Sequence, residues 1–404
     1  MTRPLVELAC EMRTELASRV LPYWFDTAQD FERGGYLLAD DAVRGRGVAR
    51  EKQLVSQSRM IWGFAHAHRK GFSTDQRSYL AAAEQGHRFL REHFLDSRHG
   101  GYFWKTDPGG ERISDVKNLY AQAFVIYALV ELHRASRQPE PLQQAMDLFG
   151  TLQRHGHDPR HRGWLEHFTR DWRLITKSTP GAEIEVPGLK SANAHLHLME
   201  AYAELYDATR DEDVKDALSE AIEINARYFF PEQADRTALH RHPDWKPVAD
   251  PKSAGLSYGH NVEFAWLLIR AQQVLGQAPA WGHFAALLDH ALKYGWDHHR
   301  GGLYFSGSEA QPTASTDKVW WVQAELLAAL TDGLKHKARS SYLDALEKLI
   351  RFLWAHQVDP RDGIWLATVT AVGQPKDPTK ASSWKANYHD LRAMVKFIDA
   401  FGEK

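Results

Sequence analysis

Apolar positions along the chain recur at the three-and-four spacing of an amphipathic helix, beginning with Leu5, Leu8, Met12, Leu16 and Val20, a stripe predicted to end at Pro22. A second run covers Leu54 to Lys70. The alternation of periodic run and break continues over 75–94, 117–135, 139–155, 190–208, 212–229, 259–276, 280–295, 317–334, 339–356 and 384–401, so twelve helices are expected. The runs are of two kinds. Those at 75–94 and 339–356 carry Glu, Lys and Arg over a broad face, as solvated helices do. Those at 117–135, 259–276 and 317–334 are apolar nearly all round, as helices surrounded by protein are.

The breaks repeat as well. A glycine-centred hairpin begins at Asp30, Asp96, Asp158, Asp297 and Asp359, as in Asp96-Ser97-Arg98-His99-Gly100-Gly101-Tyr102, with a period of about 65 residues. A sixth copy is due near residue 237, where Pro231 to His240 reads as a loop without the glycine pair. Helices that follow a hairpin are the apolar ones. Six buried helices inside six amphipathic ones predict an all-α (α/α)6 barrel, a closed toroid forming one domain over residues 1–404. In such a ring the first turns of the inner helices converge on a central hollow. Two connections, 165–189 and 230–257, exceed the usual few residues and lead into inner helices, where long loops serve as rims or lids.

Composition narrows the function. A formal charge of −2 argues against a nucleic-acid partner. No window approaches the ~18 uncharged residues of a membrane span. Glu7, Glu11 and Glu15 interrupt any signal-peptide core, and the lone Cys10 fits a reducing compartment, so a cytoplasmic protein is expected. Twenty-two histidines and fourteen tryptophans are the materials of a carbohydrate pocket.

The candidates for chemistry are the polar residues that head each inner helix. In order they are Ser58 and Arg59; Asn118, Tyr120 and Gln122; Asn193 and His197, four apart; His260 and Glu263, three apart; Trp320, Trp321 and Glu325; and Trp384, Asn387, Tyr388, His389 and Arg392. Each has a bland alternative. His260 with Glu263 is the spacing of a structural core pair, Trp320 and Trp321 suit a core, and Glu325 suits a salt bridge. His195 and His197 invite a zinc reading, but residues two apart on a helix face away from each other, so only one looks into the hollow. Coincidence favours function: all six inner helices place polar groups at the same end, where a buried toroid has no structural use for them.

The stretches SYGHNVEFAWLL, SANAHLHLMEAY, KNLYAQAF, SRMIW, KVWWVQAE and WKANYHDLR resemble the N-acylglucosamine 2-epimerase superfamily, and within it the cellobiose and mannose 2-epimerases. The resemblance implies inversion at C2 of an unmodified reducing sugar, with no cofactor and no metal; a monomer or homodimer is expected. It implies that His260 and His389 are the proton-transferring pair and that Glu263 and His197 support ring opening and tune the bases. Arg59, Tyr120 and Asn193 would hold hydroxyls, and Trp320 or Trp321, together with Trp384, would wall the sugar, with Glu325 beside it. Cellobiose epimerases usually carry Asp directly after the motif histidine; here Asn261 stands there, so a monosaccharide such as mannose is expected on equal terms with a disaccharide.

Histidine suits such chemistry, because a pKa of about 6.5 lets one imidazole accept a proton while another donates. Three rival readings stand beside it. One is an aldose–ketose isomerase converting mannose to fructose. Another is an inverting glycosidase using Glu263 and Glu325, which needs carboxyls about 6.5–9.5 Å apart. The third is a non-catalytic binding toroid.

Overall fold

Burial divides the helices as the pattern predicts. In Leu119–Ser136 every side chain from Leu119 to Leu132 is buried, whereas Ser340–Phe352 buries one stripe that includes Tyr342, Leu346, Leu349 and Ile350. The computed structural model describes residues 4–178, 186–249, 256–308 and 311–402. Six inner helices, Leu54–Arg69, Leu119–Ser136, Ala192–Thr209, Tyr258–Val274, Trp320–His336 and His389–Phe401, stand side by side inside an outer set, giving the (α/α)6 barrel. Among the described residues there are twelve helices.

Two boundaries differ from expectation. The first helix does not end at Pro22; it runs on to Ala28 through a π turn at Leu16–Val20. That turn shifts the hydrogen bonds by one residue, with the Leu21 N–H donating to Leu16 O, and a proline just after it costs little. The same wide turn ends three further outer helices, at Leu90–Phe94, Asn225–Phe229 and Leu353–Gln357. The second difference is at 384–388, which is not helical. The last inner helix begins at His389, and the segment before it crosses into the ring against Gly63, where a Cβ would lie 2.3 Å from Asn387 O.

Short antiparallel strands close the circle. The strand leading into each inner helix pairs with the strand after the next hairpin: Lys52–Gln53 with Lys105–Thr106, Lys117–Asn118 with His167–Phe168, Lys190–Ser191 with His240–Arg241, and so on, until Thr379–Ala381 pairs with Asp40–Asp41. Two-residue strands give no alternation to read in a sequence.

Four of the hairpins are held twice. Lys52, Lys117, Lys190 and Lys318 are buried, with Nζ at 2.8, 3.2, 2.9 and 2.7 Å from Asp30, Asp96, Asp158 and Asp297. Lys318 spends its other donors on Gly301 O at 2.7 Å and Ala371 O at 3.4 Å, so its charge is paired and its hydrogens are used. The fourth residue of the helix then pins the hairpin backbone. Gln57, Gln122 and Gln323 each accept an N–H from and donate to the backbone of Tyr36, Tyr102 and Leu303, while His195 Nε2 accepts the Trp164 N–H at 3.0 Å.

The described parts of the long connections lie over these hairpins. Trp172 and Trp245 adopt left-handed backbone (φ 63° and 69°) and donate their indole N–H to His99 O and His161 O. The middles of these connections, 179–185 and 250–255, where a rim or lid was expected, lie outside the described residues.

Candidate active site

Serine and asparagine start several inner helices in register. The side chains of Asn118, Ser191 and Ser257 accept the N–H groups of Ala121, Ala194 and His260. This places the first turns level, and among them opens a hollow of about 250 Å³. The first three inner helices contribute Arg59, Tyr120, Asn193 and His197; the next two contribute His260, Glu263, Trp320 and Trp321; the last approach contributes Trp384 and His389. Both Trp320 and Trp321 face it. Of the residues to which the resemblance gives a role, only Glu325 does not line the hollow: it lies behind His389 and is 1% exposed.

His260 and His389 enter the same hollow with the Trp321 ring beside both, its centroid 4.8 Å from one imidazole and 6.0 Å from the other. Their inner nitrogens are occupied. His389 Nδ1 donates to Glu325 Oε1 at 2.6 Å, because a carboxylate can only accept, and His260 Nδ1 lies 2.8 Å from Ser257 Oγ. Each therefore keeps Nε2 for the hollow. Burial pushes His260 down to about 4, with His197 adding to the effect, and pushes His389 down to about 3 against the pull of Glu325. Both are neutral at rest.

His260 and Glu263, three apart, are not bonded to each other. Glu263 receives Arg392 Nη2 at 3.1 Å instead, while His197 and Glu200, at the same spacing, are joined at 2.8 Å. Arg392 thus serves three buried carboxylates, reaching Glu200 as well and Glu325 at 2.7 Å. One guanidinium cannot neutralise three anions. Glu325 is held down to about 2, with Arg392 and His389 overcoming the upward pull of burial, and Glu200 is likewise lowered. Glu263 is driven well above the usual carboxylate range by burial and by Glu325, and keeps its proton.

Arg59 donates to Tyr120 Oη at 2.7 Å and to Trp384 O at 2.9 Å, and its Nε has no partner among the described residues. His195, two residues before His197, faces the Trp164 backbone, so the HxH pair does not ligate jointly. Asn261 occupies the fourth position of its helix, where other inner helices carry the residue that pins a hairpin; it is buried, its side-chain polar atoms have no partner among the described residues, and it does not line the hollow.

Atoms of Glu263, Glu325 and His389 lie within 4.8 Å of one another, the one such ligand group among the described residues, but the Arg392 guanidinium already supplies the cation between the two acids. The same spacing is too short for an inverting glycosidase built on those two acids. Glu200 escaped the reading of the sequence as a site residue. The His197-to-Glu200 spacing was the available signal.

A larger hollow, about 670 Å³, opens at the other end, among the last turns of the inner helices. Its acids are already paired, Glu131 with Arg69 at 2.7 Å, Asp207 with Arg134 at 2.8 Å and Glu204 with Arg270 at 2.8 Å, the arginines offsetting helix C-termini. The convergent imidazoles, His197, His260 and His389, line the smaller one.

A family model described as N-acylglucosamine 2-epimerase (GlcNAc 2-epimerase) matches residues 40–393. The chain is 29% identical over 399 residues to a cellobiose 2-epimerase of Bacteroides fragilis, covering 96% of this chain and 98% of that one. It is 26% identical over 394 residues to a D-mannose isomerase of Marinomonas mediterranea, covering 94% of each. The structure of a cellobiose 2-epimerase from Spirochaeta thermophila superposes with a TM-score of 0.87 at 32% identity, over 98% of this chain and 97% of that one.

Proposed function

The chain belongs to the N-acylglucosamine 2-epimerase family and is a sugar epimerase or isomerase; on that premise we propose that it inverts C2 of glucose- and mannose-configured reducing sugars, free or at the reducing end of a cellobiose-type disaccharide. One observation carries the reading: two neutral imidazoles, each anchored through Nδ1, offer Nε2 to one hollow.

The resting protonation states supply a balanced route. One histidine takes the O1 proton of the pyranose while neutral Glu263 gives its proton to the ring oxygen, opening the sugar. That histidine is now an imidazolium, facing an aldehyde whose C2 proton is acidic because the carbonyl can take the charge as an enediolate. The other histidine removes the C2 proton; the first delivers its own to the opposite face. On closure the C5 hydroxyl returns its proton to Glu263 and the second histidine gives O1 the proton it took from C2, which restores Glu263 and both imidazoles. Arg59 and the converging helix N-termini stand where the enediolate charge develops, with His197 and Asn193 for the hydroxyls and Trp320 and Trp321 as walls. Trp384, 48% exposed at the mouth and 5.9 Å from Trp104, offers a platform for a second ring.

An aldose–ketose isomerase is the second reading, favoured by the likeness to a D-mannose isomerase. It shares the enediolate and differs in returning the proton to C1. Incubation with mannose, glucose, cellobiose and N-acetylglucosamine, followed by product chromatography, decides between them. Glucose or an epimeric disaccharide supports epimerisation, fructose supports the isomerase, and no product with any of the four rejects both.

A further inference from the structure

Glu200 does not reach the hollow, yet it determines what one of the hollow's imidazoles can do. Its carboxylate lies 2.8 Å from His197 Nδ1, and since a carboxylate only accepts, that nitrogen carries the proton. His197 Nε2 is left with a lone pair on the side that lines the hollow. Glu200 is in turn fixed from across the ring, by Tyr388 Oη at 2.9 and 3.0 Å and by Arg392, which also holds Glu263 and Glu325. Glu200 and His197 are 4% and 3% exposed.

His195 shows what a structural histidine looks like on the same helix. Both its nitrogens are spent on backbone, Nδ1 on Ser191 O and Nε2 on the Trp164 N–H. His197 is bonded on one side only. A pair three residues apart on one helix ties no two elements together, so its effect is on the imidazole.

We propose that Glu200 is a positioning residue of the reaction: it fixes His197 as the Nδ1–H tautomer, so that Nε2 is an obligate acceptor for a hydroxyl of the bound sugar. This rests on the reading of the hollow as a sugar site. The consequence is selective, because a sugar must present a hydroxyl donor at that point, and a His197 with the proton on Nε2 would oppose it donor to donor.

Glu200→Gln keeps the shape and replaces the acceptor by an amide whose NH2 can donate to Nδ1. In 15N-labelled protein without sugar, long-range nitrogen–proton spectra of the native enzyme should show His197 protonated on Nδ1, and the variant should move the proton to Nε2. With the sugar that the native enzyme turns over, KM should rise about tenfold or more, the loss of one hydrogen bond, with a smaller fall in kcat. Tyr388→Phe loosens Glu200 but leaves its bond to His197, and should keep the tautomer. A native His197 protonated on Nε2, or a Glu200→Gln protein with unchanged tautomer or unchanged KM, overturns the proposal. The tautomer is read without substrate, so failure of the sugar reading shows instead as absent turnover in the native enzyme.

Discussion

His389 Nδ1 lies 2.6 Å from Oε1 of Glu325, while Oε2 of the same carboxylate accepts the indole N–H of Trp266 at 2.9 Å. The acid cannot rotate away, and the imidazole cannot turn its proton-bearing nitrogen to the hollow. A carboxylate in that place also stabilises the imidazolium that forms whenever His389 holds a proton. Glu325→Gln removes the charge and keeps the shape. Turnover should fall by about 10²-fold or more with the circular dichroism spectrum unchanged; a kcat within about threefold of native would show that Glu325 only fills space.

Two bases on opposite faces of C2 leave an isotopic record. In D2O the product should carry deuterium at C2, because the proton delivered is the one the first histidine took from the O1 hydroxyl, which has exchanged with solvent. His260→Ala and His389→Ala should each abolish epimerisation while the protein remains folded. Substantial turnover in either variant, or product free of deuterium, contradicts a two-histidine transfer.

Burial sets the pH range. In the route above the free enzyme works with His260 and His389 neutral and Glu263 protonated. His260 is depressed to about 4 and His389 to about 3 by desolvation, and Glu263 is raised. Acid inactivates by protonating His260, so kcat/KM should hold level from pH 7 to about 5 instead of breaking near the ordinary histidine value of about 6.5. A kcat/KM profile that titrates near 6.5 would mean that the hollow is wetter than its packing indicates.

Much of this was legible in the sequence because helices of 3.6 periodicity and glycine hairpins repeat, and the inner helices announce themselves by being apolar all round. What stayed hidden has physical reasons. Pro22 reads as a stop because nothing local reveals the π turn that tolerates it. Trp384 to Tyr388 continue a helical pattern, but the segment is drawn into the ring, where Tyr388 reaches Glu200. His260 with Glu263 and His197 with Glu200 have the same spacing, and only the second is a hydrogen-bonded pair, because helix rotation in the ring decides which neighbour an acid meets. The buried lysines, 21 or 22 residues after a hairpin aspartate in three repeats, read as surface charge until their partners are seen.

Those lysines carry a stability prediction. Lys318 is 0% exposed and Asp297 5%, so Lys318→Met leaves a buried carboxylate that keeps the His299 and Arg300 N–H groups but loses its cation. Breaking one partner of such a pair costs about 3–5 kcal/mol, and Lys318→Met with Asp297→Asn should recover part of that loss. Urea unfolding of the two variants measures it. If the single variant loses less than about 1 kcal/mol, the ion pair is not what fastens the hairpin.

His195 is the histidine that stands where other inner helices place glutamine, and it makes folding sensitive to acid. It is fully buried, its Nε2 lone pair is committed to the Trp164 N–H, and burial depresses it to about 3. Above about pH 6.5 the group is neutral in both folded and unfolded chains and the pH has no effect through it. Below that the unfolded chain takes up a proton that the folded one refuses, so stability falls by up to about 1.4 kcal/mol per pH unit until the folded value near 3 is reached. Gln57, Gln122 and Gln323 make the same backbone contact without titrating. His195→Gln should therefore change stability little at pH 7.5 and leave the protein about 2 kcal/mol more resistant to urea, relative to native, at pH 5. Equal pH slopes of unfolding free energy in native and His195→Gln protein would show that His195 is protonated in the fold, against the geometry of its hydrogen bond.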